Sequence, residues 1–252
     1  LPQTLYKACG ALRLQEVDIA VIGTLLNGCS ALVLAAATAI LASRLVELRD
    51  RLADSVTVFW LLSSLLYGLI GLRQMAGILG FPRIDRTLFL LALVVQGVLS
   101  VPVASYLVDL MSENRSGGIA ELLPTLLLLV GVAASVLVWQ GGLGVYSLGV
   151  WGTSWFVNDR TALGVLTLWG LVPGAVFALA IPLLSFKARS KLMMYRLAAC
   201  AISFLLALIA AYSEAVWGVT WFILVTRPLL LAAVAVAWLG HFPPTNVRRG
   251  LH

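Results

Sequence analysis

The chain has 252 residues, 61% of them hydrophobic and 11% charged, with a mean hydropathy of +1.02. A soluble globular domain is about 45–50% apolar and about 25% charged, so a water-soluble fold is excluded and lipid is the solvent. The net charge of +6 does not signal nucleic-acid binding, because the basic residues lie between apolar runs, as orientation signals do.

A spanning helix needs about 20 mainly apolar residues. Seven segments qualify: 17–42, 55–81, 87–110, 119–139, 161–186, 196–214 and 216–239. The expected fold is all-α, a polytopic bundle of seven transmembrane helices forming one domain over residues 1–252. A β-barrel is disfavoured, because no run of alternating ten-residue segments appears. The chain begins at Leu1 rather than Met. Residues 1–16 do not read as a signal peptide, because no clean apolar region precedes a small-residue cleavage site.

The first span carries Asn27, Cys29 and Ser30. The stretch SRLVELRDRLAD that follows it is expected to prolong the helix, with Glu47 and Arg51 paired at i,i+4. The second span places Tyr67 near mid-depth and Arg73 and Gln74 in its outer third. The third carries Gln96, Ser100 and Pro102. The fourth is almost wholly apolar from Leu126 to Val138 and is expected to face lipid.

Residues 140–160, QGGLGVYSLGVWGTSWFVNDR, form the one long loop. LGVY at 143–146 and LGVW at 148–151 echo one another, and glycine beside aromatic and β-branched residues suggests a short hairpin. Trp139, Tyr146, Trp151 and Trp155 suit the headgroup region. The loop is expected either to be held at the interface by these tryptophans or to cover an outward-facing cavity. The fifth span has Gly170 and Gly174 in a GxxxG spacing that admits a close neighbour, with Pro173 and Pro182 as kink sites.

Lys and Arg in the loops set the orientation. Ten lie on the side of Arg44, Arg115, Lys187 and Arg248, five lie on the side of Lys7, Arg83 and Arg160, and Arg73 and Arg227 are inside spans. The richer side should be cytoplasmic, which puts the N-terminus outside and the C-terminus inside. The expected location is a bacterial cytoplasmic (inner) membrane.

The last span, VWGVTWFILVTRPLLLAAVAVAWL, holds Arg227 and Pro228 near its centre. An arginine there costs roughly 2.5–3.5 kcal/mol on insertion scales. All eleven Asp and Glu lie near span ends or in loops. Three readings of Arg227 stay open. It snorkels to water, it hydrogen-bonds carbonyls freed by Pro228 together with Gln96 and Tyr67, or it binds an anionic group whose geometry matches guanidinium. The candidate ligand-binding residues are Arg227, Gln96, Tyr67, Asn27 and Ser100. An outer ion pair of Arg73 with Glu214 or Asp18 is expected, since a charge in the interface needs a partner.

No Walker loop, GxSxG, HExxH or CxxC motif is present, and no span holds an acid or base at depth. An enzyme is therefore not expected. Cys9, Cys29 and Cys200 have no metal-ligand spacing, so no metal site is expected. In helix number the chain is similar to microbial rhodopsins and to the membrane regions of bacterial seven-helix sensors. Its lysines, Lys7, Lys187 and Lys191, all lie outside the spans, which excludes a retinal Schiff base, and His241 and His252 lie at or beyond the last span, so no haem cofactor is expected.

The leading expectation is a non-enzymatic membrane sensor, or receptor module, for a small anionic or amphiphilic molecule. Signal transduction would pass to a cytoplasmic partner through the basic stretch FKARSKLMMYR. Transport of a small molecule, and a structural subunit of a larger membrane complex, are the alternatives. Membrane lipids are the partners implied in every case.

Overall fold

The structure, a computed structural model, describes residues 2–48, 51–111, 118–166, 168, 190–217 and 221–245. The described chain is mostly helical. In order it forms α1 (Pro2–Val46), α2 (Arg51–Ile78), α3 (Pro82–Val98), α4 (Ser100–Met111), α5 (Gly118–Gly141), an antiparallel hairpin of β1 (Leu143–Gly149) and β2 (Gly152–Val157), α6 (Lys191–Trp217) and α7 (Ile223–His241). Residues 160–166 are also helical.

Among the described residues, five helical stretches are long and apolar enough to cross a bilayer: Ile19–Val46, Ala53–Ile78, Pro82–Tyr106, Pro124–Gly141 and Ile223–His241. They carry large aliphatic side chains on their outward faces, among them Ile22, Val33, Leu61, Leu72 and Leu129. Each would forgo about 1.5–3 kcal/mol of burial in water. Against lipid tails the same faces are at home, so the molecule reads as an integral membrane protein.

The expected spans fall out as follows. α1 reaches Val46 and then turns, so the helix is not prolonged through SRLVELRDRLAD. Glu47 pairs with Arg44 (3.3 Å) on the surface, and the side chain of Arg51, its expected partner, lies outside those described. The expected third span is present as the single stretch Pro82–Tyr106, with Leu99 as one turn residue between α3 and α4. Leu99 N keeps its helical bond to Val95 O (3.1 Å) and shares it with Gln96 O (3.3 Å), and Pro102 has no N–H to offer Val98 O. The greater part of 161–186, including Gly170, Pro173, Gly174 and Pro182, lies outside the described residues.

The last span is corrected at its start. α7 begins at Ile223, not at 216. α6 reaches Trp217, so residues 216 and 217 belong to it rather than to the last span. Arg227 therefore lies only about 6 Å along α7, at 1.5 Å per residue, instead of at its centre.

α1 runs against α2, and α6 against α7, while α3 and α4 pack chiefly on α2 and α5. Two crossings are made close by glycine. A Cβ on Gly131 of α5 would lie 2.2 Å from Gly97 O of α3, and one on Gly71 of α2 would lie 2.6 Å from Leu32 Cγ of α1. At the end away from the hairpin, Leu41, Leu45, Phe59, Trp60, Tyr106 and Phe204 form the largest buried cluster and join α1, α2, α4 and α6. Hydroxyls inside the bundle donate to the carbonyl four residues back, as Thr38 does to Leu34 O (2.8 Å) and Ser63 to Phe59 O (2.8 Å). Others cross between helices: Ser203 of α6 donates to Ala233 O of α7 (2.8 Å). These hydroxyls therefore find partners inside the bundle, as a medium without water requires.

Candidate functional site

The hairpin is the element around which the buried polar residues gather. Its strands pair Tyr146 with Trp155, Ser147 with Ser154 and Gly149 with Gly152, leaving Val150 and Trp151 as a two-residue turn. Gly152 follows that turn with a φ of 150°, a conformation open to glycine. Between Leu143 and Tyr146 the register slips by one residue, a bulge that twists the strand. The hairpin expected from the glycine and aromatic pattern is therefore present, but it does more than rest on the surface. Its tip enters the side of the bundle against α1 and α2. A Cβ on Gly23 would lie 2.0 Å from Val150 O, and one on Gly77 would lie 2.2 Å from Thr153 Cγ2. Trp151, expected at the headgroups, sits in this tip.

Asp85 of α3 is fully buried and gathers the strand to two helices. Its Oδ1 accepts from Arg73 Nε of α2 (2.8 Å), and its Oδ2 accepts from Trp155 Nε1 of β2 (2.8 Å). Arg73 Nη2 also donates to Thr153 O. Gln74 Oε1 accepts from Thr153 N (2.8 Å), and the Thr153 hydroxyl lies 3.3 Å from both Gln74 Oε1 and Asp85 Oδ1. Arg73 lies over the Phe89 ring at 4.7 Å. The ion pair expected for Arg73 is thus made with Asp85. The side chains of Asp18 and Glu214, the acids expected for it, lie outside those described.

Tyr146 lies against Trp155, the ring centroids 5.0 Å apart and the planes tilted by 54°. Partial burial, then the Asp85 carboxylate, push its phenol above the ordinary value of 10.0, while Arg73 pulls the other way. The hairpin therefore presents a neutral tyrosine at physiological pH.

Arg227 is buried at the second turn of α7. Its Nη2 donates to Asn27 Oδ1 of α1 (3.2 Å), and its guanidinium lies 5.2 Å from the centroid of the Tyr67 ring of α2. Asn27 Nδ2 in turn donates to Trp151 O at the hairpin tip (3.0 Å). Three of the five expected ligand-binding residues, Arg227, Asn27 and Tyr67, therefore meet. Gln96 and Ser100 stand apart at the α3–α4 junction, where the Ser100 hydroxyl is turned to Gly97 O (3.4 Å). The chain matches no protein-family model, no characterised protein and no solved structure. What the site does has to be argued from its own geometry.

Asp85, Thr153 and Trp155 were not among the expected site residues. The signal that finds Asp85 is its setting in PRIDR, an acid between two arginines at the start of an apolar helix. Arg73 and Asp85 are twelve residues apart across the tight turn at Leu79–Phe81, which returns α3 along α2. Thr153 and Trp155 lack such a signal, because nothing local says which face of a strand turns inward when a bulge shifts its register.

Two linked groups result. One binds β2 to α2 and α3 through a buried ion pair. The other binds the turn to α1, and through Asn27 to the cation of α7. A Cβ on Gly28 would lie 3.3 Å from Gln74 Cβ, so α1 and α2 run close together between the two groups. Both groups thus hold the turn and the first residues of β2, at Trp151 and at Thr153 and Trp155, and the backbone of Gly152 joins them.

Proposed function

We propose that the chain is a non-enzymatic membrane sensor or ligand-binding module for a small anionic or amphiphilic molecule. In this reading seven helices span a bacterial cytoplasmic membrane, with the N-terminus outside and the hairpin on that outer face. The observation that carries it is the relay Arg227–Asn27–Trp151. Arg227 is the ligand's charge anchor, with Asn27 and Tyr67 as polar contacts. An anion accepts from the guanidinium more strongly than a neutral amide does. It therefore competes with Asn27 Oδ1, and Asn27 is the residue that holds the hairpin tip. Ligand binding then loosens the tip and shifts α7 against its neighbour α6, whose first two turns carry Lys191 and Arg196 toward a cytoplasmic partner. A ligand shifts such an equilibrium only by its differential affinity for the two arrangements, and the exchanged Asn27 bond supplies that difference.

The test is native mass spectrometry of the protein extracted in mild detergent. A stoichiometric small anion or amphiphile is expected on the parent and is expected to be lost from Arg227→Gln with folding retained. A stoichiometric protein partner without any small molecule would replace this reading with that of a subunit in a larger complex.

A further inference from the structure

A second site lies at the base of the hairpin. There β2 meets residues 160–168 in an open groove of about 530 Å³, lined by Trp155, Phe156, Arg160, Leu163, Gly164 and Leu168. Arg160, Gly164 and Leu168 recur every four residues and Leu163 three after Arg160, so a helix of this stretch lines the groove with one face. That face runs from one cation into apolar surface. Arg160 is exposed, its guanidinium 4.7 Å from the centroid of the Phe156 ring. Ring contact covers one face of the guanidinium and leaves its in-plane N–H groups able to donate. The neighbouring carboxylate of Asp159 is turned away to cap the helix, accepting from Ala162 N (2.9 Å).

The height of the groove matters as much as its lining. The spanning stretch of α5 ends at Gly141, and Gly141 O accepts from Asn158 Nδ2 (3.0 Å), two residues before Arg160. Arg160 therefore stands level with the end of a span, where headgroups lie. Leu163 and Leu168 continue from there, with Leu168 about 12 Å along a helix from Arg160. A cation at headgroup height above a greasy channel is complementary to an amphiphile with a phosphate head.

We propose that this groove binds an anionic phospholipid, its phosphate on Arg160 and an acyl chain along Leu163, Gly164 and Leu168. Trp155 both lines the groove and donates to Asp85, so the lipid buttresses the strand that carries the buried ion pair. The site rests on the chain being membrane-embedded and is independent of any ligand at Arg227.

The full-length protein in mild detergent, offered phosphatidylglycerol or phosphatidylcholine of matched acyl chains, tests it by native mass spectrometry. Phosphatidylglycerol is expected to be retained several-fold better than phosphatidylcholine. Arg160→Gln should remove that preference. Gly164→Leu should lower phosphatidylglycerol retention by filling the groove, and it should fold, because a Cβ at Gly164 meets nothing within 4 Å. Arg227→Gln should leave lipid retention unchanged, which separates this site from the proposed sensor site. Equal retention of the two lipids, or phosphatidylglycerol retention unchanged in Arg160→Gln or in Gly164→Leu, would overturn the proposal. So would loss of the lipid in Arg227→Gln but not in Arg160→Gln.

Discussion

Asp85 ties two other elements to α3 with one carboxylate, accepting from the α2 guanidinium and the β2 indole while lying beside the Thr153 hydroxyl of the same strand. Breaking a buried ion pair by removing one partner typically costs about 3–5 kcal/mol, because the other charge is stranded. Asp85→Asn should therefore lower the apparent melting temperature in detergent sharply. Pairing it with Arg73→Met should recover most of the loss, since the charge left behind is then gone. If Asp85→Asn melts with the parent, the ion pair does not anchor the hairpin. Sequence alone shows that Arg73 requires an acid, because a guanidinium in the outer third of an apolar helix does not stay alone. It does not show which acid, because that choice is made by the turn at Leu79–Phe81, and turn geometry is written in backbone angles rather than in charge.

At the scale of elements, long apolar helices are legible because the period and length of hydrophobic runs decide them. The hairpin is legible as a hairpin, from glycines flanking aromatic and β-branched residues. Its penetration into the bundle is not legible, because it depends on two glycines in other elements. Gly23 and Gly77 open the α1–α2 wall for Val150 and Thr153, and each reads locally as an ordinary small residue in an apolar helix. Gly77→Val should thus push the strand outward. A single cysteine at Trp151→Cys, on a background with Cys9, Cys29 and Cys200 replaced by serine, reports the movement, and the Asn27 bond survives because it uses the Trp151 carbonyl. Labelling by a membrane-impermeant maleimide should be slow in that background. It should quicken by about tenfold on adding Gly77→Val, the factor that ~1.4 kcal/mol of opening represents. An unchanged rate would mean that the wall yields without moving the tip.

For the whole molecule, the hairpin joins elements that sequence order keeps far apart. Asn27 lies 124 residues from Trp151 and 200 from Arg227, and Asp85 lies 70 from Trp155. Composition and loop charge describe a chain crossing a membrane, and depth within the spans groups Arg227 with Asn27 and Tyr67, but the partner of each, and the bond from Asn27 to the hairpin, is written only in the fold. The pairings also make a prediction about communication. If the hairpin transmits strain, Asp85→Asn and Arg227→Gln act on two neighbouring anchor points of one strand and its turn, and their effects should not add. Substitutions without shared partners are additive to about 0.3–0.5 kcal/mol, whereas coupled ones depart by about 0.5–3 kcal/mol. Reversible denaturation of the two single variants and the double variant in detergent measures the difference. The expected result is a double variant less destabilised than the sum, because releasing the strand at Asp85 has already relieved the turn of its hold on Asn27. Asn27→Ala should abolish that coupling by cutting the relay between Arg227 and the turn, while leaving the Asp85 network intact. Strict additivity in the parent background would show that the two anchor points respond separately, and a sensor built on the relay would then have no path from Arg227 to the strand.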